Sequence, residues 1–86
     1  MKKLKIVDTV AILKPISIEH LTLVEPKYTS IQSLPIGQVG TIVEVYEEAE
    51  ETNYLVEFAD LQGHEYAMAT LKADELLVLH YELTVA

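Results

Sequence analysis

The chain has 86 residues, of which 50% are hydrophobic, and it contains no Cys and no Trp. This length predicts one small domain, and the 3 Gly and 3 Pro are too few for a collagen-like or low-complexity chain. Without Cys, a disulfide framework and a thiolate metal site are excluded. The formal net charge is -8, from 14 acidic residues and 6 basic ones.

The charge is distributed unevenly along the chain. All basic residues are Lys, and Lys2, Lys3 and Lys5 lie at the N-terminus, so from residue 6 onward 3 Lys stand against 14 carboxylates. Lys and Arg hold phosphate backbones and anionic lipids, so we expect no nucleic-acid and no membrane partner. A cationic partner, or simply solubility, is favoured. Asp8 and Lys14 interrupt the apolar stretch after MKKLK, so we expect no secretion signal, no membrane helix and a cytoplasmic location.

Five segments predict short β-strands separated by turn signals. They are rich in β-branched residues and recur at a spacing of roughly 8–12 residues, which is typical of a small antiparallel sandwich or barrel. In chain order they are Lys5 to Leu13, Gln38 to Tyr46, Asn53 to Ala59, His64 to Leu71 and Leu76 to Val85.

The connections between these strands differ in regularity. Lys14 to Ile36 contains all three prolines; in it, His20 to Val24 favours a short strand, while Ser17 to Leu21 equally favours one helical turn with Ser17 as N-cap. Asp60 to Gly63 has the residues of a type I hairpin turn. Lys72 to Glu75 is consistent with one 3₁₀ turn.

Strict alternation assigns the strand residues to two faces. In the strand Gln38 to Tyr46, one face carries Ile42, Glu44 and Tyr46, and the other face carries Val39, Thr41, Val43 and Val45. In the next two strands, the side chains directed toward the core are those of Tyr54, Val56, Phe58, Ala67, Ala69 and Leu71. Leu55, Tyr66 and Met68 then meet as cross-strand neighbours on the outer face. This face is either an exposed interaction patch or covered by the long connection Lys14 to Pro35.

Two resemblances follow from ordered motifs. Ile36 to Tyr46 resembles the central strand of SH3-like barrels, including KOW-type domains, with Gly40 allowing a bend or a close backbone approach. The longer series resembles the domain of unknown function 4926 family of small bacterial proteins: Asp8-Thr9-Val10-Ala11, Gly37-x-x-Gly40-Thr41-Ile42-Val43-Glu44-Val45-Tyr46, Tyr54-x-Val56-Glu57-Phe58-x-Asp60-x-x-Gly63 and Ala67-x-x-Thr70-Leu71-x-Ala73-Asp74-x-Leu76.

The family resemblance implies an SH3-like barrel and says little about activity. Genes of its members often lie beside small partner genes, as in toxin–antitoxin pairs. The segment Lys14 to Pro35 is longer than the usual first connection of the family.

Candidate chemistry is sparse. A carboxylate cluster (Glu47, Glu48, Glu50, Glu51) is a solvated loop or a docking site for a basic partner, and it lacks the Gly and spacing of a calcium loop. The pairs His64-Glu65 and His80-x-Glu82 supply too few ligands for zinc. No Ser has a nucleophile context, so we expect neither an enzyme nor a cofactor.

The sequence thus predicts an all-β, five-stranded antiparallel SH3-like barrel as a single domain over residues 1–86, with a long irregular connection over about 14–36 and an extension over about 80–86. We expect a non-enzymatic protein-interaction module, an antitoxin-like or regulatory partner of a small basic bacterial protein. The alternatives are a KOW-like nucleic-acid-associated domain and a homo-oligomer formed through the C-terminal strand. The predicted partner-binding residues are Tyr46, Leu55, Tyr66, Met68, Glu47, Glu48, Glu50 and Glu51. The predicted structural turn residues are Gly37, Gly40, Asp60 and Gly63.

Overall fold

The computed structural model describes residues 4–24 and 32–79. These residues form two 3₁₀ turns, Ile18–His20 and Ala73–Glu75, and no α-helix. The strands are β1 (Thr9–Ile12), β2 (Ile16–Ser17), β3 (Thr22–Leu23), β4 (Ser33–Leu34), β5 (Val39–Glu48), β6 (Glu51–Ala59), β7 (Glu65–Lys72) and β8 (Leu76–Val78). The prediction of an all-β fold is confirmed.

The strands form an antiparallel six-stranded sheet in the order β3-β7-β6-β5-β1-β8, and β2 pairs with β4 in a separate ribbon. The five predicted strands correspond to β1, β5, β6, β7 and β8. The sixth, β3, comes from the long first connection. Among the described residues, β3 and β8 are the two edges of the sheet, which is not closed into a barrel, so the predicted five-stranded barrel is not formed there.

One apolar core lies against one face of this sheet. Phe58, Ile12, Ile42, Val10 and Val56 are less than 2% exposed. β1 and β8 near one edge of the sheet and β7 near the other contribute to the same cluster. The full cluster is Leu4, Val10, Ile12, Ile16, Leu34, Ile42, Tyr54, Val56, Phe58, Tyr66, Ala67, Ala69, Leu71 and Leu76.

The long connection contributes to this core. Ile16 in β2 and Leu34 in β4 are buried and lie opposite each other in register. Both alternatives for its middle part are present: the 3₁₀ turn Ile18–His20 follows Ser17, and β3 follows the turn. Ser17 occupies the N-cap position without a side-chain capping bond.

Two strands differ from their predicted bounds for local reasons. β1 begins only at Thr9 because Lys5 to Asp8 forms a turn, in which the Asp8 N–H donates to the Lys5 carbonyl at 3.1 Å and Val7 has a φ of 67°. At the other hairpin, β5 and β6 continue through the acidic segment, where Glu48 pairs with Glu51. Ala49 and Glu50 remain as a two-residue loop, a loop length that requires positive φ, and Ala49 has a φ of 27°.

The predicted faces of β5 are wrong beyond Ile42 because the strand contains a β-bulge. Ile42 pairs with Val56 and Glu44 pairs with Leu55, so Val43 is the extra residue. Side chains before and after a bulge change face. Ile42 is therefore buried, and Val45 packs against the core although strict alternation places it opposite Ile42.

Glycines occupy two kinds of special position. A Cβ added at Gly40 would lie 2.6 Å from Val56 Cγ1 and 2.9 Å from the Glu57 carbonyl oxygen, so β6 approaches the β5 backbone there. Gly37 and Gly63 have φ values of 90° and 83°, which other residues rarely adopt.

The turn between β6 and β7 is organised by a carboxylate. Asp60 Oδ1 accepts the N–H groups of Gln62 at 3.0 Å and His64 at 2.9 Å. The Gly63 N–H donates to the Asp60 carbonyl at 2.9 Å, which closes the four-residue turn.

Candidate functional site

Six carboxylates gather at one end of the sheet, which we call the acidic end. The β5–β6 hairpin and the 3₁₀ turn that follows β7 meet there, because Lys72 at the end of β7 pairs with Asn53 near the start of β6. All members except the half-buried Glu75 are exposed. The acidic end consists of Glu47, Glu48, Glu50, Glu51, Asp74 and Glu75.

Lys72 places an ammonium group within the acidic end. Its Nζ lies 2.6 Å from Glu51 Oε1. The hydrogen bond with Glu51 and the charge of that carboxylate raise the pKa of Lys72, and Asp74 and Glu75 add to the effect. Lys72 therefore stays protonated at neutral pH, and the acidic end as a whole keeps a large excess of negative charge.

A groove of about 350 Å³ begins at Glu75 and runs beside β7. The Glu75 carboxylate is fixed there because Oε1 accepts the backbone N–H of Lys72 at 2.9 Å. The buried side chains of Ile16 and Leu71 give the groove an apolar floor. Its complete lining is Pro15, Ile16, Ser17, His20, Thr70, Leu71 and Glu75.

The predicted patch of Leu55, Tyr66 and Met68 forms only in part. Leu55 pairs with Thr70 and Met68 with Glu57, and both side chains are half-buried on the outer face. Tyr66 lies in the core instead, at 7% exposure, so the prediction that it is exposed is wrong.

The reason is a second irregularity in the ladder. Phe58 pairs with Ala67 and Ala59 with Glu65, which leaves Tyr66 as an extra residue in β7 and turns it inward. Burial raises the pKa of the Tyr66 hydroxyl, and the charge of Asp60 adds to the rise.

The remaining predicted partner residue of β5, Tyr46, is 42% exposed. It pairs with Asn53 and lies diagonally from Leu55 on the outer face, next to the acidic end. The structure therefore brings Tyr46 and the four hairpin glutamates into one neighbourhood. Met68 lies further along the sheet.

Sequence reasoning missed a pair of carboxylates on the outer face. Glu57 in β6 and Glu65 in β7 lie close enough to share a hydrogen bond. That bond raises the pKa of Glu65, and desolvation and the charge of Glu57 act in the same direction. The two residues are eight positions apart, and only the register of the β6–β7 hairpin brings them together.

Sequence reasoning also missed an apolar row on the outer face of the β8 edge. Ala11 in β1 pairs with both Val39 and Leu77, which are 45% and 52% exposed. All three alternate with core residues of their strands. Strict alternation in LLVL was the available signal for Leu77.

The histidine pairs provide no metal centre within residues 4–24 and 32–79, where no three His, Asp or Glu side chains are placed so that they could hold one metal ion. His64 Nδ1 lies 3.6 Å from Asp60 Oδ2 and so belongs to the turn. The predicted pair of His80 and Glu82 lies outside the described residues. No helix in the described part of the chain is long and apolar enough to cross a membrane.

Comparison with known proteins identifies a family. No curated protein and no solved structure matches the chain. A family model described as "Domain of unknown function (DUF4926)" matches residues 6–78, which include every described strand. The chain therefore belongs to the DUF4926 family.

Proposed function

We propose that this protein is a non-enzymatic protein-interaction module whose acidic end docks a basic segment of a partner protein. The observation that carries the proposal is the concentration of six carboxylates around Lys72 at one end of the sheet. The residues come from two separate elements, the β5–β6 hairpin and the 3₁₀ turn Ala73–Glu75. The fold therefore brings two further carboxylates to the four that are already close together in the hairpin sequence.

Exposed carboxylates of this kind act mainly through long-range attraction. Each exposed ion pair contributes about 0.2–1 kcal/mol, so the affinity depends on the number of charges that act together. A complementary basic partner is also attracted faster, and this gain decreases as salt screens the charges. The same field opposes phosphate ligands, which disfavours the KOW-like alternative.

The test uses a ten-residue lysine peptide as the probe and isothermal titration calorimetry at low and at moderate salt. The variant Glu47→Gln/Glu50→Gln removes two charges from the acidic end. The matched control, Glu57→Gln/Glu65→Gln, removes two charges from the outer face. From the energies of exposed ion pairs, we expect the first variant to bind about two- to thirty-fold more weakly.

The control is expected to bind within about two-fold of the wild type, because its carboxylates lie away from the acidic end. Equal weakening of both double variants would mean that net charge alone attracts the peptide. Absence of binding to the wild type at low salt would contradict the proposal outright.

The finer form of the proposal assigns this module to a cytoplasmic bacterial protein, with an antitoxin-like or regulatory role toward a small basic protein. Copurification from the native host tests the role. A small basic protein recovered in stoichiometric amount supports it, and recovery of the monomer alone contradicts it.

A second candidate function is a homo-oligomer formed through the C-terminal edge of the sheet. Exposed Leu77 and Val39 flank the buried Ala11 in a row that ends at β8, an edge strand of the described sheet without a charged residue. Sedimentation velocity of the wild type and of Leu77→Lys tests it. A dimer that dissociates in the variant supports this candidate, and a wild-type monomer at all concentrations excludes it.

A further inference from the structure

The edge of β7 is paired along only part of its length in the described sheet. β3 pairs with it at two positions, Thr22 with Met68 and Leu23 with Ala67, and the Val24 N–H donates to the Tyr66 carbonyl at 2.8 Å. On the N-terminal side of Thr22 the chain leaves the ladder, because residues 18–20 form a 3₁₀ turn. The edge of β7 beyond Met68 is therefore not covered by β3.

The direction of the backbone groups at this edge follows from the ladder. In an antiparallel pair, every second residue directs both its N–H and its C=O toward the same neighbour. Tyr66 and Met68 direct these groups toward β3, as the bond from Val24 shows. By the same alternation, Thr70 directs its N–H and C=O toward the groove.

The groove beside Thr70 has the size and chemistry for an extended chain. The part of β7 that no described strand pairs on this side, residues 69–72, spans about 13 Å at the usual rise per residue, which matches a segment of about four residues. Ile16 and Leu71 form an apolar floor, and Glu75 lies in the lining. A carboxylate has about four lone-pair positions, so its bond to the Lys72 N–H leaves Glu75 able to accept from a cation.

We propose that an extended segment of the partner, alternating basic and apolar residues, adds to the sheet as a strand along β7. The segment exchanges backbone hydrogen bonds with Thr70, places an apolar side chain over Ile16 and Leu71, and directs a Lys or Arg toward Glu75. This inference rests on the proposed function and specifies its binding mode. Strand addition supplies affinity through the main chain, and the groove and its charge supply selectivity.

Charge selects a basic occupant over an acidic or a neutral one. Glu75 belongs to both the groove and the acidic end, and Asp74 and Glu51 lie beside it around Lys72. Among the lining residues the only side chain that can carry a positive charge is His20. An incoming Lys or Arg therefore meets several carboxylates.

The test measures binding of the probe peptide acetyl-Lys-Val-Lys-Val-Lys-Val-amide by ¹⁵N–¹H NMR. We expect shifts concentrated at residues 69–72 and slower hydrogen exchange of the Thr70 amide. A probe that is N-methylated at every backbone nitrogen cannot donate these backbone bonds in any register and is expected to bind at least ten-fold more weakly. The corresponding Glu-Val peptide is expected not to bind.

Two protein variants separate the backbone of Thr70 from its side chain. Thr70→Pro removes the N–H that faces the groove, and we expect at least a ten-fold loss of affinity. Thr70→Val keeps the N–H and is expected to bind within two-fold of the wild type. The N-methylated probe leaves the protein unchanged, so the inference stays testable if Thr70→Pro does not fold.

The outcomes distinguish this inference from the function on which it rests. If the N-methylated and unmodified probes bind equally, with shifts confined to residues 47–51, strand addition is wrong and docking at the acidic end stands. If neither cationic probe binds at low salt, both fail.

Discussion

The close approach of β6 to Gly40 leads to a quantitative prediction about Gly40→Ala. The added Cβ would meet three atoms below 3.0 Å: Val56 Cγ1 at 2.6 Å, the Glu57 carbonyl oxygen at 2.9 Å and Phe58 Cδ1 at 2.9 Å. Two of these atoms belong to fully buried side chains and one to the backbone. None is the free end of a flexible side chain, so the strands must separate.

The magnitude follows from two opposing effects. Overpacking of a well-packed core costs about 1–3 kcal/mol, and three close contacts place Gly40→Ala at the upper value. Replacing a glycine within a strand recovers roughly 0.5–1 kcal/mol of backbone entropy. We therefore expect a net loss of about 2 kcal/mol in the free energy of unfolding. For a domain of this size that lowers the melting temperature by roughly 8–16 °C.

The assay is urea unfolding followed by circular dichroism, in a double-mutant cycle with Val56→Ala. Because Val56→Ala removes the closest atom, Gly40→Ala is expected to cost less in that background, with a coupling of at least about 0.5 kcal/mol. Gly63→Ala is the matched control: nothing lies within 4 Å of its Cβ, so its cost comes from φ and is additive with Val56→Ala. A Gly40→Ala protein within about 0.5 kcal/mol of the wild type would refute the reasoning.

Three further predictions concern local structure. Asp60→Ala removes the acceptor of two backbone N–H groups, so we expect it to lower the free energy of unfolding in urea by about 1–3 kcal/mol. The control Asp74→Ala changes an exposed residue and is expected to stay within about 0.5 kcal/mol of the wild type. Equal effects of the two variants would contradict the role of Asp60. Val7→Gly relieves a positive φ at a side chain that is 74% exposed, so stability is expected to rise by about 0.5–1 kcal/mol, and a loss would show that the strain is absent. Glu57→Gln is expected to lower the pKa of Glu65 in an NMR titration, because the shared hydrogen bond and the Glu57 charge raise it. A raised carboxyl pKa means that the folded state binds more protons than the unfolded state. The wild type is therefore expected to lose stability relative to Glu57→Gln as the pH rises above about 4.5. Parallel profiles of the free energy of unfolding against pH would contradict this.

The strands could be predicted from the sequence because their composition and turns agree. Tyr54, Val56 and Phe58 alternate cleanly inward, and the Asp60–Gly63 turn has the residues that its geometry needs. The 3₁₀ turn Ala73–Glu75 also lies where the short polar segment after β7 predicts it.

The faces of two strands could not be predicted because a β-bulge leaves no compositional signal. Val43 and Tyr66 lie in uninterrupted β-prone segments, and a single extra residue reverses the inward set without a Gly or a Pro. Strict alternation therefore places Val45 outside the core, and it places Tyr66 on the surface.

The candidate site was partly predictable. The hairpin glutamates are adjacent in sequence, so their clustering is visible there. Their proximity to Asp74 and Glu75 depends on the register between Asn53 and Lys72, which no local pattern encodes. The groove depends further on where β3 ends and the 3₁₀ turn Ile18–His20 begins, in the least regular part of the chain.

The most direct test of docking at the acidic end is a ¹⁵N–¹H NMR titration of the wild type with the ten-residue lysine peptide at low and at moderate salt. We predict amide shifts concentrated at residues 47–52 and 70–75 that shrink as salt increases. Shifts spread evenly over the sheet, or centred on the row of Leu77, Ala11 and Val39, would contradict the account.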